Sequence, residues 1–205
     1  SSAAKKDPYA LDLRDKTSVH TLLGLLRSLA GNRRPGMSAR VLIEGRAGSG
    51  KTSLVVGAVL EVHRLQQQDP NLNPTGAAQG HSDIDSTPAP RMVMLPCRAL
   101  LHLGAPGSKV EVRRRLGLAA RLSPCVLLVD SLDCLLGGGA SQAVLNVVVA
   151  ELTSLTETLS RHQASVMVVG TCTSARSLPE EARGCFHDVM SLPMPPSDLR
   201  VKAVR

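Results

Sequence analysis

Eight residues near the first quarter of the chain constrain it more than any others. Gly45-Arg46-Ala47-Gly48-Ser49-Gly50-Lys51-Thr52 matches the pattern G-x-x-x-x-G-K-[ST] at every fixed position. Before it stands Arg40-Val41-Leu42-Ile43-Glu44, a short apolar run that reads as a buried strand. After it, residues 51–65 are apolar along their whole length and read as a helix. In that context the residue types have a physical meaning. Glycines let the backbone curl until successive amides point at one place, a concavity that side chains would obstruct. A helix beginning near Lys51 adds the positive end of its dipole. The anion such a cradle suits is a phosphate. On this reading Gly45, Arg46, Ala47, Gly48, Ser49, Gly50, Lys51, Thr52 and Ser53 hold ATP. Lys51 reaches the β- and γ-phosphates, and the Thr52 hydroxyl coordinates magnesium. A glycine-rich turn with a chance lysine is the bland alternative, and it leaves the flanking strand and helix unexplained.

A second element completes the pattern. Cys125-Val126-Leu127-Leu128-Val129 is a continuous apolar run that stops at Asp130, as a strand buried on both faces does. Asp130 is expected to hold the magnesium through water, opposite Thr52.

The rest of the chain alternates in the same way. Val19, Leu22, Leu23, Leu25, Leu26 and Leu29 recur at helical spacing, so residues 18–30 are expected to be a helix, broken by the Gly/Pro-rich stretch 31–36. Residues 92–95 read as a strand, and Val110, Val112, Leu116, Ala119 and Leu122 suggest a helix. Residues 141–161 follow amphipathic spacing, residues 165–170 are a fully apolar strand, and 188–192 a last short one. Strands alternating with helices predict an α/β fold: a parallel sheet with helices on both faces. Residues 1–17 are polar and read as a linker; the chain opens with Ser1, as expected of a fragment or a processed chain. Residues 66–91 carry four prolines and almost no apolar bulk, so they read as a flexible insertion.

Composition narrows the partners. The 24 basic and 17 acidic residues give a net charge of +7, which admits nucleic acid, an anionic surface or simply phosphates. Tyr9 and Phe186 are the only aromatics, so the stacking platforms of single-strand binders are missing and nucleic acid is not the expected partner. The densest run, Arg113-Arg114-Arg115, falls in a helical pattern and reads as a solvated or subunit-facing edge. No apolar run reaches the ~18–20 residues of a membrane span, so contact with a membrane is expected only through a partner. The five cysteines, Cys97, Cys125, Cys134, Cys172 and Cys185, show no CxxC spacing; they read as buried small apolar side chains in a reducing compartment.

The order of phosphate loop, helix, strand, helix, apolar strand ending Asp130-Ser131-Leu132-Asp133, helix, then Val168-Val169-Gly170-Thr171 resembles the large subdomain of AAA+ ATPases, a P-loop NTPase fold. The resemblance covers roughly residues 18–205 and breaks off where the family's small helical lid would begin, so the lid is expected to be absent or truncated. Within the family, Gly48-Ser49-Gly50-Lys51, Cys97-Arg98-Ala99-Leu100, the Asp130–Asp133 ending and the run from Val166 to Pro179 are similar to the first, degenerate ATPase domain of the peroxisome-biogenesis members. That resemblance implies a two-ring hexameric protein unfoldase or translocase recycling receptors in peroxisomal matrix-protein import. It also implies neighbouring AAA+ subunits and a protein substrate as partners, and a cytoplasmic location at the peroxisomal membrane. It further implies a catalytic set of Lys51, Asp130, Asp133 and Arg183, the last as the remaining candidate for an arginine finger. Several positions depart from the family. Ser131 stands where hydrolysing members carry the glutamate that activates water, and a serine has no basicity at neutral pH. Cys172 falls where a sensor asparagine is usual, and Cys185 near the second finger position. Leu101-His102-Leu103-Gly104 occupies the place of the substrate-gripping pore loop without an aromatic, so His102 is expected to be an exposed loop residue. The expectation is a domain that binds ATP and hydrolyses it weakly or not at all. Two alternatives stay open: an origin-recognition-type, DNA-binding AAA+ subunit, and a small-molecule P-loop kinase.

Overall fold

In the computed structural model of this chain, which describes residues 16–31, 39–68 and 89–194, five strands line up in the order β2-β3-β4-β1-β5. They are β1 (Arg40–Glu44), β2 (Arg91–Pro96), β3 (Cys125–Asp130), β4 (Val166–Cys172) and β5 (Asp188–Ser191), and every neighbouring pair is parallel. The helices are α1 (Lys16–Gly31), α2 (Lys51–Gln68), α3 (Cys97–Leu100), α4 (Gly104–Arg121), α5 (Ala140–His162) and α6 (Glu180–Gly184). Two short 3₁₀ turns, Leu132–Leu135 and Ala175–Ser177, follow β3 and β4.

The apolar runs become strands buried on both sides because successive side chains point to opposite faces. Val41, Ile43, Val126, Leu128, Met167 and Val169 pack with Leu22, Leu26, Leu54, Val55, Ala58 and Val62 of α1 and α2. Leu42, Leu127, Val129, Val166 and Val168 face the other way, onto Val112 and Leu116 of α4 and Leu145, Val148, Leu152 and Leu155 of α5. Each such Leu or Val contributes about 1.5–3 kcal/mol by leaving water. The expected α/β sandwich is therefore the observed one. Phe186 closes the second layer under β4: a Cβ on Gly170 would lie 2.5 Å from the ring's Cζ, so glycine is required there by space.

Boundaries differ from the expectation in several places. Helix α2 continues to Gln68 and β2 begins at Arg91, so both ends of the stretch 66–91 belong to regular elements. There the buried Pro90 carbonyl lies 2.8 Å from Nε2 of His63. The middle of that insertion, residues 69–88, lies outside the described residues, as do residues 1–15 of the expected linker and residues 195–205, where a lid would begin. Lys16 and Thr17, expected to be linker, already belong to α1. Helix α4 starts at Gly104, earlier than the Val110–Leu122 pattern, because Pro106 sits in its first turn, where a missing N–H is harmless. Strand β4 runs on through Thr171 and Cys172, past the apolar run that marks it in the sequence.

Candidate nucleotide-binding site

The carboxyl ends of β1, β3 and β4 meet at one rim, the place where open parallel sheets present their ligand sites. Residues 45–50 leave β1 and turn directly into α2, whose first intrahelical bond runs from the Leu54 amide to the Gly50 carbonyl at 2.8 Å. The loop is pinned at its base by Gly45 N–H to the Cys172 carbonyl at 3.2 Å, and tightened by Ser49 N–H to the Arg46 carbonyl at 3.0 Å. Gly48 and Gly50 have φ of 78° and 87°, the left-handed region that glycine enters without steric cost. Around Gly48 a side chain would meet open space, so the left-handed φ is what favours glycine there. At Gly45 the opposite holds: a Cβ would come 2.6 Å from the Leu192 carbonyl oxygen and 2.8 Å from Ser49 Oγ. Among the described residues, that buried Ser49 hydroxyl has no hydrogen-bond partner.

Lys51 and Thr52 open α2, with Ser53 beside them in its first turn. The Lys51 ammonium donates to the carbonyls of Gly45 at 2.5 Å and Arg46 at 3.1 Å, so the charge is folded over the loop. The Thr52 hydroxyl donates to Asp130 Oδ1 at 2.7 Å, joining the helix to the end of β3. Thr171 of β4 donates to the same Oδ1 at 2.8 Å. Ser131 follows Asp130 with φ 62° and ψ 55°, a left-handed conformation worth about 1–2 kcal/mol of strain in a residue with a Cβ. Its N–H is held by the Thr171 oxygen at 2.8 Å, and its hydroxyl lies 3.4 Å from Asp130 Oδ2.

These residues fit a nucleoside triphosphate with a divalent cation: an open loop of left-handed glycines, one ammonium, and a hydroxyl paired with a carboxylate. Magnesium would be held by Thr52 directly and by Asp130 through water, and it would supply charge to the phosphate oxygens. No group of three or more His, Cys, Asp or Glu side chains among the described residues is arranged to hold a metal. A cation here therefore depends on Thr52, Asp130 and oxygens of the ligand.

The remaining expected residues fall in different places. Asp133 sits in the turn after β3 and accepts a hydrogen bond from the Thr173 hydroxyl. Cys172, which the resemblance sets where a sensor asparagine is usual, presents no side chain to solvent. Alternation along β4 turns it into the α4–α5 layer, fully buried, while Thr171 and Thr173 face the site. Arg183 lies exposed in α6, whose Ala182 packs in the α4–α5 layer on the opposite side of the sheet from α2, so it does not join Lys51, Thr52 and Asp130 of its own chain. Buried Cys185 follows it, its Sγ 3.4 Å from the Glu181 carbonyl. Burial pushes the Cys172 thiol up to about 11 and Cys125 to about 12, and it raises Cys97, Cys134 and Cys185 as well. All five thiols are free; four are buried as expected, and Cys134 is half-buried. His102 is exposed in the turn between α3 and α4, as expected.

The basic run is self-paired. Arg114 and Arg115 hold Glu111 at 2.7 Å each, depressing its carboxyl to about 2, and Arg113 reaches Glu151 of α5 at 2.9 Å. Glu44 gave no signal in the sequence. It accepts the Ser191 hydroxyl at 2.6 Å and the Ala175 N–H at 2.8 Å, which lower its pKa and tie the root of the loop to β5 and to the turn after β4.

The family model of the ATPases associated with various cellular activities (AAA) matches residues 41–194, and the chain belongs to that family. Among solved structures, the AAA domain of FIGL-1 in complex with ADP is similar over 94% of this chain at a TM-score of 0.57. Sequence identity is 18%, so that likeness speaks for the fold, and the match spans 58% of the FIGL-1 chain. No curated protein sequence matches this one. Family membership sets aside the small-molecule kinase.

Proposed function

We propose that this AAA domain binds ATP and magnesium at the rim of β1, β3 and β4 and turns the nucleotide over slowly or not at all. One observation carries the reading: Lys51, Thr52 and Asp130 are assembled, while the residue after Asp130 is Ser131. The first three suffice to hold phosphates and a cation. A serine hydroxyl cannot take a proton from water at neutral pH, so the step after binding lacks its base. The ADP in the FIGL-1 structure supports the ligand class.

On this proposal nucleotide binding is architectural. It orders a subunit interface in a hexameric, two-ring protein unfoldase or translocase whose other ATPase domain does the hydrolysis. The short sequence similarities to the peroxisome-biogenesis members support peroxisomal receptor recycling as the setting, with the domain in the cytoplasm and reaching the membrane only through a partner. Self-pairing of Arg113, Arg114 and Arg115 speaks against the DNA-binding alternative, since those cations are already engaged within the domain.

Titrating the chain with ATP in a calorimeter, with and without magnesium, tests the binding half of the proposal. Saturable binding strengthened by magnesium is expected; no heat of binding to a folded chain overturns it.

A further inference from the structure

We propose that Thr171 is a positioning residue of this site: its buried hydroxyl fixes the Asp130 carboxylate so that Oδ2 is the oxygen presented to a magnesium-bound water. The inference rests on the reading of the rim as a nucleotide–magnesium site. Thr171 is fully buried near the end of a strand that is otherwise apolar up to that point. A buried hydroxyl needs partners, and this one has both of its capacities assigned.

The hydroxyl owns one proton, and a carboxylate only accepts, so the proton goes to Asp130 Oδ1 at 2.8 Å. The oxygen then accepts the Ser131 N–H at 2.8 Å. With donor and acceptor both engaged, the Thr171 hydroxyl cannot rotate without breaking one of them. Thr52 donates to that same Oδ1 at 2.7 Å, which keeps the lone pairs of its own oxygen available to a cation. Two hydroxyls thus hold one oxygen of Asp130 from two elements, α2 and β4. Among the described residues the only donor on Oδ2 is Ser131 Oγ at 3.4 Å, too long for a strong bond. Thr171 also satisfies the amide of the left-handed residue that ends β3, so side chain and bend are fixed by one group.

Valine has nearly the shape of threonine and the same preference for strands. Thr171→Val therefore removes the hydroxyl while keeping the packing, and Thr171→Ser restores it. ADP affinity of each variant is measured by calorimetry with magnesium and again with a chelator. The ratio of the two is the coupling between cation and nucleotide. The expected result is a coupling about tenfold weaker or more in Thr171→Val, with unchanged affinity in chelator and recovery in Thr171→Ser. A merely structural role would weaken both affinities alike; an unchanged coupling overturns the inference. If valine is not tolerated, Thr171→Ala supplies the same comparison. Wild-type protein that binds ADP without any magnesium effect overturns it as well. Wild-type protein that binds no nucleotide fails earlier, at the reading of the rim itself, and takes the inference with it.

Discussion

Two halves of one rim meet at the peptide between Asp130 and Ser131, and they carry different chemistry. On the β1–α2 side are the left-handed glycines, the Lys51 ammonium and the Thr52 hydroxyl bonded to Asp130. On the side that would act on water are Ser131 and Thr173. Holding a phosphate chain needs amides and charge, which a single strand–loop–helix unit supplies. Activating water needs a base at one further position, and that position can change without disturbing the unit. The two functions are separable in this fold because they are built by different elements.

Three changes break or sharpen that contrast. Lys51→Ala should have the largest effect. Removing a charge-assisted contact to phosphate should cost about 3 kcal/mol, on the order of a hundredfold in ATP affinity by calorimetry. Because, among the described residues, the ammonium bonds only carbonyls of its own loop, the melting temperature without nucleotide should hardly move. Unchanged affinity in the folded variant would place the binding site elsewhere.

Ser131→Glu tests the other half. A positioned base contributes ~10²–10⁴-fold in favourable cases. Here the backbone at position 131 is left-handed and its amide is tied to Thr171. The expected gain in ATP hydrolysis by the isolated domain is below about tenfold. A gain in the full range would show that the surrounding machinery is intact.

The smallest effect belongs to a change outside both halves. Replacing residues 69–88 by a short linker keeps α2 to Gln68, β2 from Arg91 and the His63–Pro90 contact. Closure entropy varies slowly with length, so unfolding free energy should change by less than about 1 kcal/mol, with ATP affinity unaltered. A larger loss in a denaturant titration would show that the segment packs on the domain.

The halves were also unequally legible in the sequence. The phosphate loop could be read because its chemistry is consecutive: eight adjacent residues between a strand and a helix. The strands could be read because both faces are buried, which forces continuous apolar runs such as residues 125–129. Thr171 gave no signal in the sequence, since its bonds depend on how far β4 extends and which face each residue takes. Glu44 was missed because its partners, Ala175 and Ser191, are brought to it by the sheet order and leave no local trace. The start of α4 was hidden by Gly104, Pro106 and Gly107, residues that usually mark loops yet are tolerated in a first turn. Self-pairing of the three arginines needed Glu151, on another helix.

The central claim is that this domain keeps the nucleotide and does not spend it. The direct measurement is ATP turnover by the proposed assembly with every other ATPase site inactivated by mutation and this one wild type. The account predicts bound ATP and turnover far below about one per second, the lower end of the usual enzymatic range. Turnover at or above that rate would contradict it, and would assign the base to Asp133 or to a carboxylate from a neighbouring subunit.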